Sequence, residues 1–143
     1  MVEKSAIKKY TQYGWDELKN AIKDGVRDFS KCDLFGANFE EANLENSTFK
    51  NSKLYWSNFI FANLSGADLS GADFNCASFV GANFTNANLE GASFGCARMW
   101  FADLTGVDLT KTSLLGADLR GAKFDKSKTS NYTFGLKSLD NLL

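Results

Sequence analysis

From Phe29 to Phe124 every fifth residue is Phe, Leu or, at Met99, methionine, so twenty consecutive positions keep one period without a slip. A period of five matches neither the 3.6-residue face of a helix nor the two-residue alternation of a strand, so the chain must turn at the same point in every unit. The residue two before the centre is Ala in thirteen of the twenty units, and the residue just before it is Asp or Asn in thirteen as well. The repeating phrase is Ala-(Asp/Asn)-(Leu/Phe)-x-x, seen cleanly in Ala62-Asn63-Leu64-Ser65-Gly66 and Ala67-Asp68-Leu69-Ser70-Gly71. Gly stands two after the centre in eight units, as a turn with a positive φ favours.

These tandem units resemble the pentapeptide-repeat family, whose members are abundant in cyanobacteria, and the resemblance covers about two-thirds of the chain. It implies an all-β fold, a right-handed quadrilateral β-helix in which each pentapeptide is one side and four make a coil. The large centre and the small residue two before it then point inward, and the other three point out. Charges give an independent check on the coil length, because like charges stacked on adjacent coils repel. At a spacing of twenty, Asp33, Lys53 and Asp73 alternate in sign, as do Arg98 with Asp118 and Asp103 with Lys123. At fifteen, Asp103 would face Asp118. Twenty units therefore make about five coils, on the order of 24 Å long at about 4.8 Å per coil. The inward column Phe39, Phe59, Phe79, Met99, Leu119 places Phe79 at its middle.

Residues 1–28 read as an N-terminal cap. Trp15, Leu18 and Ile22 share one helical face, Asp16 and Glu17 fall in a first turn, and Gly25 stands where a helix would stop, so a short capping α-helix is expected from about Trp15 to Asp24, with Tyr10 and Tyr13 adding apolar area. Residues 29–126 form the solenoid. Residues 127–143 are a C-terminal cap or tail in which Tyr132, Phe134, Leu136, Leu139 and Leu142 fold over the last coil.

The chain has no histidine, which removes the commonest general base and nitrogen ligand. Outward Asp and Asn recur as turn formers rather than as paired acids. The expectation is a protein that is not an enzyme and has no cofactor, no metal and no small-molecule substrate. With 16 basic and 17 acidic residues the charge is −1, which favours no nucleic-acid partner. No stretch resembles a signal peptide or a membrane span, so a soluble cytoplasmic protein is expected. Cys32 takes an inward small-residue place and is expected in the core. Cys76 and Cys96 are twenty apart at one outward place, and stand as free thiols or as a disulfide between neighbouring coils.

Folding the sequence on twenty sorts the outward residues onto four faces. Faces three and four carry ordinary polar residues. Face one carries Phe35, Tyr55 and Leu115, with Trp56, Cys76 and Cys96 at its end, and face two carries Ile60, Val80 and Trp100, with Phe61 and Phe101 at its end. An apolar cluster spanning several coils marks a protein contact. Tyr55, Trp56, Ile60, Phe61, Val80, Trp100 and Phe101 are the expected partner-binding residues, with Gly81 leaving a notch between Phe61 and Phe101. Other uses of this edge are burial by the terminal segments and stabilisation of the solenoid by aromatic ladders. The leading function is a non-catalytic interaction or self-association module, its partner another protein or a homodimer. The resemblance supplies an alternative: some members modulate DNA gyrase by mimicking duplex DNA with an acidic rod. The repeats here carry ten acidic and seven basic residues from Phe29 to Phe124 and no continuously acidic face.

Overall fold

A computed structural model describes residues 15–134 of the protein. The chain enters through helix α1, Trp15–Lys23, with Asp16 and Glu17 in its first turn and Lys23 in its last, each favourably placed against the helix dipole. Leu18, Ala21 and Ile22 bury its apolar face, and Trp15 packs partly against the same core. The helix stops at Gly25, which takes φ +93°. Val26 N–H donates to Ala21 O at 3.0 Å and Gly25 N–H to Ile22 O at 3.1 Å, the two bonds of a Schellman turn. The Arg27 guanidinium adds bonds of 2.9 Å to Ile22 O and Val26 O.

From Asp28 to Lys123 the backbone forms bridges with the neighbouring coil. Every bridge is parallel and joins residues twenty apart, as in Asp28 with Thr48, Thr48 with Asp68, and Asn58 with Ser78. Each side of the coil is too short to form an extended strand, so pairing consists of isolated bridges. Phe59 N–H donates forward to Ser78 O at 2.7 Å, and Asn58 N–H donates back to Ala37 O at 2.8 Å. At the corners after the first a turn bond closes, such as Ala62 N–H to Phe59 O at 3.0 Å, whereas Cys32 N–H donates to the Ser52 hydroxyl at 3.2 Å. Where Asp or Asn precedes the centre, its side chain fixes that corner. Asp68 Oδ1 accepts from Ser70 N–H at 3.0 Å and Asn83 Oδ1 from Thr85 N–H at 2.9 Å.

Inside, the centres from Phe29 to Leu119 are buried, with the small residues two before them beside the rings or chains. Phe39, Phe59 and Phe79 stack at 4.6 and 4.9 Å, and Phe74 stacks on Phe94 at 4.9 Å. One bridge is missing on the fourth side, between Asn88 and Asp108, where Val107 and Thr112 replace the usual Ala. There the Thr112 hydroxyl donates to Leu89 O at 3.0 Å.

The last coil is closed by a 3-10 turn, Lys126–Lys128, N-capped by Asp125, and by a one-turn helix α2, Asn131–Phe134. Lys128 O and Thr133 O accept from Leu109 N–H and Leu114 N–H, continuing the ladder beyond the repeats. Phe134 is buried, but Tyr132 is exposed, so that part of the expected cap does not cover the coil. Leu136, Leu139, Leu142, Tyr10 and Tyr13 lie outside the described residues. Cys32 departs from expectation too. It packs against the core yet stays half-buried, because it belongs to the first coil, which has no repeat coil before it.

Candidate functional site

The position two after the centre takes a left-handed backbone in eighteen of the twenty units, Lys111 and Lys126 being the exceptions. Gly satisfies it without strain, but Trp56, Phe61 and Phe101 also adopt it, with φ of 62°, 55° and 58°. A bulky L-residue held this way costs roughly 1–2 kcal/mol. All three side chains are nonetheless open, at 65%, 62% and 70% of their surface. Phe35 and Leu115 are exposed on the adjoining face, and the Phe35 ring packs against Tyr55 at 5.0 Å. Tyr55, Ile60, Val80 and Trp100 are half-buried between these residues and the coil walls. The described residues thus place every large exposed apolar side chain on faces one and two except Tyr132, which lies with Glu90, Gly91, Thr110 and Lys111.

The expected notch at Gly81 is filled. A Cβ at Gly81 would lie 2.5 Å from Cδ1 and Cε1 of Phe61, and one at Gly121 equally close to Cδ1 of Phe101. Each ring leans forward one coil and lies over the glycine there. Asn46, Asn51 and Asn86 do the same over Gly66, Gly71 and Gly106. The glycines receive the preceding coil's side chain, so no pocket remains for a partner's.

Trp100 is covered from outside by a residue that the sequence reading passed over. The Arg120 guanidinium lies 4.6 Å from the centre of the indole ring. Arg120 is clamped in turn by Asp118, with Nε to Oδ1 at 3.0 Å and Nη2 to Oδ2 at 2.8 Å. These bonds hold the Asp118 carboxyl down to about 2. Arg98, the expected partner of Asp118, is in register with it through the backbone, but the ion pair goes to Arg120 two residues along the chain. The signal for Arg120 over Trp100 was the same twenty-residue stacking.

Beside the aromatic residues, Cys76 and Cys96 share a groove of about 500 Å³ with Asn75, Gly95, Leu115, Gly116 and Phe134. A second groove of about 370 Å³ runs between α1 and the coils, lined by Lys19, Lys23 and Arg27 on one side and by Glu40 and Glu41 on the other. Its charges are mixed and Arg27 is engaged with backbone carbonyls, so it favours no single ligand charge. Among the described residues no helix is long and apolar enough to cross a membrane.

Pentapeptide repeats match residues 28–60, 52–91 and 90–125, in eight copies. The chain is similar in structure to the pentapeptide repeat protein Rfr23 from the cyanobacterium Cyanothece 51142, with 38% identity, 66% of this chain and 60% of that one covered, and a TM-score of 0.52. It is also similar to a pentapeptide repeat protein of the Arabidopsis thaliana thylakoid lumen, at 37% identity, with 66% of each chain covered and a TM-score of 0.50. The matched region spans about 60% of the Cyanothece protein's length. No curated protein matches the sequence. The fold common to these proteins is a right-handed β-helix, and the chain belongs to the pentapeptide-repeat family.

Proposed function

We propose that the protein is a non-catalytic binding module whose aromatic edge on faces one and two takes another protein or a second copy of the chain. The observation that supports this reading is Trp56. Its corner needs only a residue that tolerates a left-handed backbone, as Gly, Asn and Lys do at other corners, yet it carries an indole that is 65% exposed at φ 62°. Strain kept at an exposed aromatic position points to a use outside the fold. Phe61 and Phe101 have a structural share, since their rings cover glycines, and Trp100 is secured beneath Arg120. The outermost contact surface is therefore Trp56, Phe61 and Phe101, with Tyr55, Ile60, Val80 and Trp100 behind it.

A reducing, cytoplasmic setting fits this reading, since Cys76 and Cys96 stand one coil apart as free thiols. Gyrase modulation by mimicry of duplex DNA is not favoured, because alternating stacks such as Asp33, Lys53 and Asp73 interrupt any run of negative charge along the column.

Trp56→Ser combined with Phe101→Ser tests the edge. In sedimentation velocity, or in capture from the native host followed by mass spectrometry, the wild type should associate and the double variant should not, with melting temperatures within a few degrees. Association unchanged in the variant, together with an effect of the wild type on gyrase in a supercoiling assay, would replace this reading with the DNA-mimic one.

A further inference from the structure

We propose that Cys76 and Cys96 form a two-thiolate site for a soft, two-coordinate cation of the copper(I) or silver(I) class, a reading independent of the aromatic edge. The two residues hold the same corner of consecutive coils, with φ of 59° and 55°. The same ladder fixes both, Cys76 N–H donating to Gly95 O at 2.8 Å and Cys96 N–H to Leu115 O at 3.1 Å. Both are free thiols, Cys96 exposed and Cys76 half-buried, and both line the groove of about 500 Å³ on face one. Gly116 keeps that groove open beside the second thiol, since Cys96 Sγ lies 3.5 Å from where a Cβ of residue 116 would stand.

Sulfur is the available ligand there. Asn75 Oδ1 is already occupied by Gly95 N–H at 2.6 Å and Ser93 O–H at 2.7 Å, and no carboxylate lines the groove. Calcium and magnesium need shells of about six or more oxygens and find none. Zinc prefers four ligands and meets two, since no group of three or more His, Cys, Asp or Glu gathers among the described residues. Copper(I) is selected by thiolates, and two such ligands suffice for a linear ion.

The spacing agrees. Stacked coils repeat about every 4.8 Å, and where the two side chains, which share a backbone conformation, take the same rotamer their sulfurs stand apart by that repeat. With metal–sulfur bonds of about 2.3 Å, on the zinc–thiolate scale, a linear S–metal–S unit spans about 4.6 Å. A disulfide prefers Cβ atoms about 3.8 Å apart, so it would require the coils to close up. On binding, each thiol gives its proton to the solvent as its sulfur bonds the ion, so two thiols and one monovalent cation yield a bis-thiolate complex of net charge −1 and two released protons. No electron is transferred. Leu115 and Phe134 wall the site with apolar surface.

The test uses the full-length chain, reduced and kept anaerobic, titrated with silver(I) and then with copper(I) buffered by a competing chelator. Native mass spectrometry should show one ion per chain, with a mass gain equal to the ion less two protons. Because binding releases two protons, affinity should fall about a hundredfold for each unit of acidification in mildly acidic solution. Cys76→Ser and Cys96→Ser should each abolish the complex at concentrations where Cys32→Ser retains it. If either Ser variant fails to fold, native-state alkylation of the wild type with iodoacetamide makes the same test, and blocked protein should bind no ion. One ion per separate thiol, binding kept in either single variant, an ion held between two chains, or zinc bound as tightly as copper(I) would overturn the proposal.

Discussion

Phe59 and Phe61 are two residues apart, and the fold uses them in opposite ways. Phe59 belongs to an inner column in which Phe39, Phe59 and Phe79 lie almost parallel, each with no exposed surface. Phe61 belongs to an outer set with Trp56 and Phe101, left-handed in backbone and more than half exposed. Place within the five-residue unit, not residue type, decides between core and surface. The inner rings stabilise every coil they touch, whereas the outer ones strain the corners that carry them.

The largest effect expected from this contrast is at the column's middle. Phe79→Ala removes a ring packed against Phe59, Phe74, Phe84 and Phe94, and should cost about 3–5 kcal/mol in chemical or thermal unfolding. A melting temperature within a degree or two of wild type would break the distinction between inner and outer sets.

A middle-sized effect probes where the two sets meet their glycines. Gly36 and Gly81 both have φ +66°, but an added Cβ meets nothing within 4 Å at Gly36 and the Phe61 ring at Gly81. Gly36→Ala should therefore show the backbone cost alone, roughly 1–2 kcal/mol. Gly81→Ala should cost more, and a double-mutant cycle with Phe61→Ala should recover the excess. Equal costs at the two glycines, with no coupling, would mean that the Phe61 ring moves off Gly81 freely.

These details divide what the sequence could reveal from what it could not. The inward and outward places were legible because twenty units repeat one steric demand, a large residue preceded two back by a small one. A notch at Gly81 follows from the faces of the column alone, and the direction in which the side chains lean fills it. Side chains at the corner lean forward, so Phe61 and Phe101 consume the space that Gly81 and Gly121 leave. The alternations Phe61–Gly81–Phe101–Gly121 and Asn46–Gly66–Asn86–Gly106 carried that information at a spacing of forty. Arg120 over Trp100 was legible in the same way. The clamp by Asp118 was not, since stacking at twenty pairs it with Arg98, whereas its corner bond to Arg120 N–H brings the Arg120 side chain within reach instead. Cys32 defeated the pattern because a repeat predicts the interior of a stack better than its first coil.

A smaller effect is expected at Trp56. Asn tolerates the left-handed region better than Trp, so Trp56→Asn should relieve strain and leave stability unchanged or slightly raised. The inner set allows no such exchange. A clear loss of stability in Trp56→Asn would show that the exposed indole supports the solenoid, and the outer set would then be structural.

The smallest effect separates the two sets by the force that holds them. The inner column is apolar and carries no titrating group, whereas Trp100 on the outer edge is covered by Arg120, which is positioned by Asp118. Asp118 titrates near 3.8 when free of these partners and about 2 in the fold. A carboxyl with a lowered pKa stabilises the folded state fully above the higher value, and that contribution fades as pH falls from about 3.8 through about 2. The stability difference between wild type and Asp118→Asn should accordingly be constant above that window and shrink within it. The pair is solvent-exposed, so the difference is small and also decreases with salt. Over the same window the deficit of Phe79→Ala should stay constant, measured by denaturant unfolding at a series of pH values. A deficit of Phe79→Ala that followed the same acid curve would mean that the charged edge and the aromatic column unfold as one coupled element, and that coverage of Trp100 matters to the core as well as to the surface.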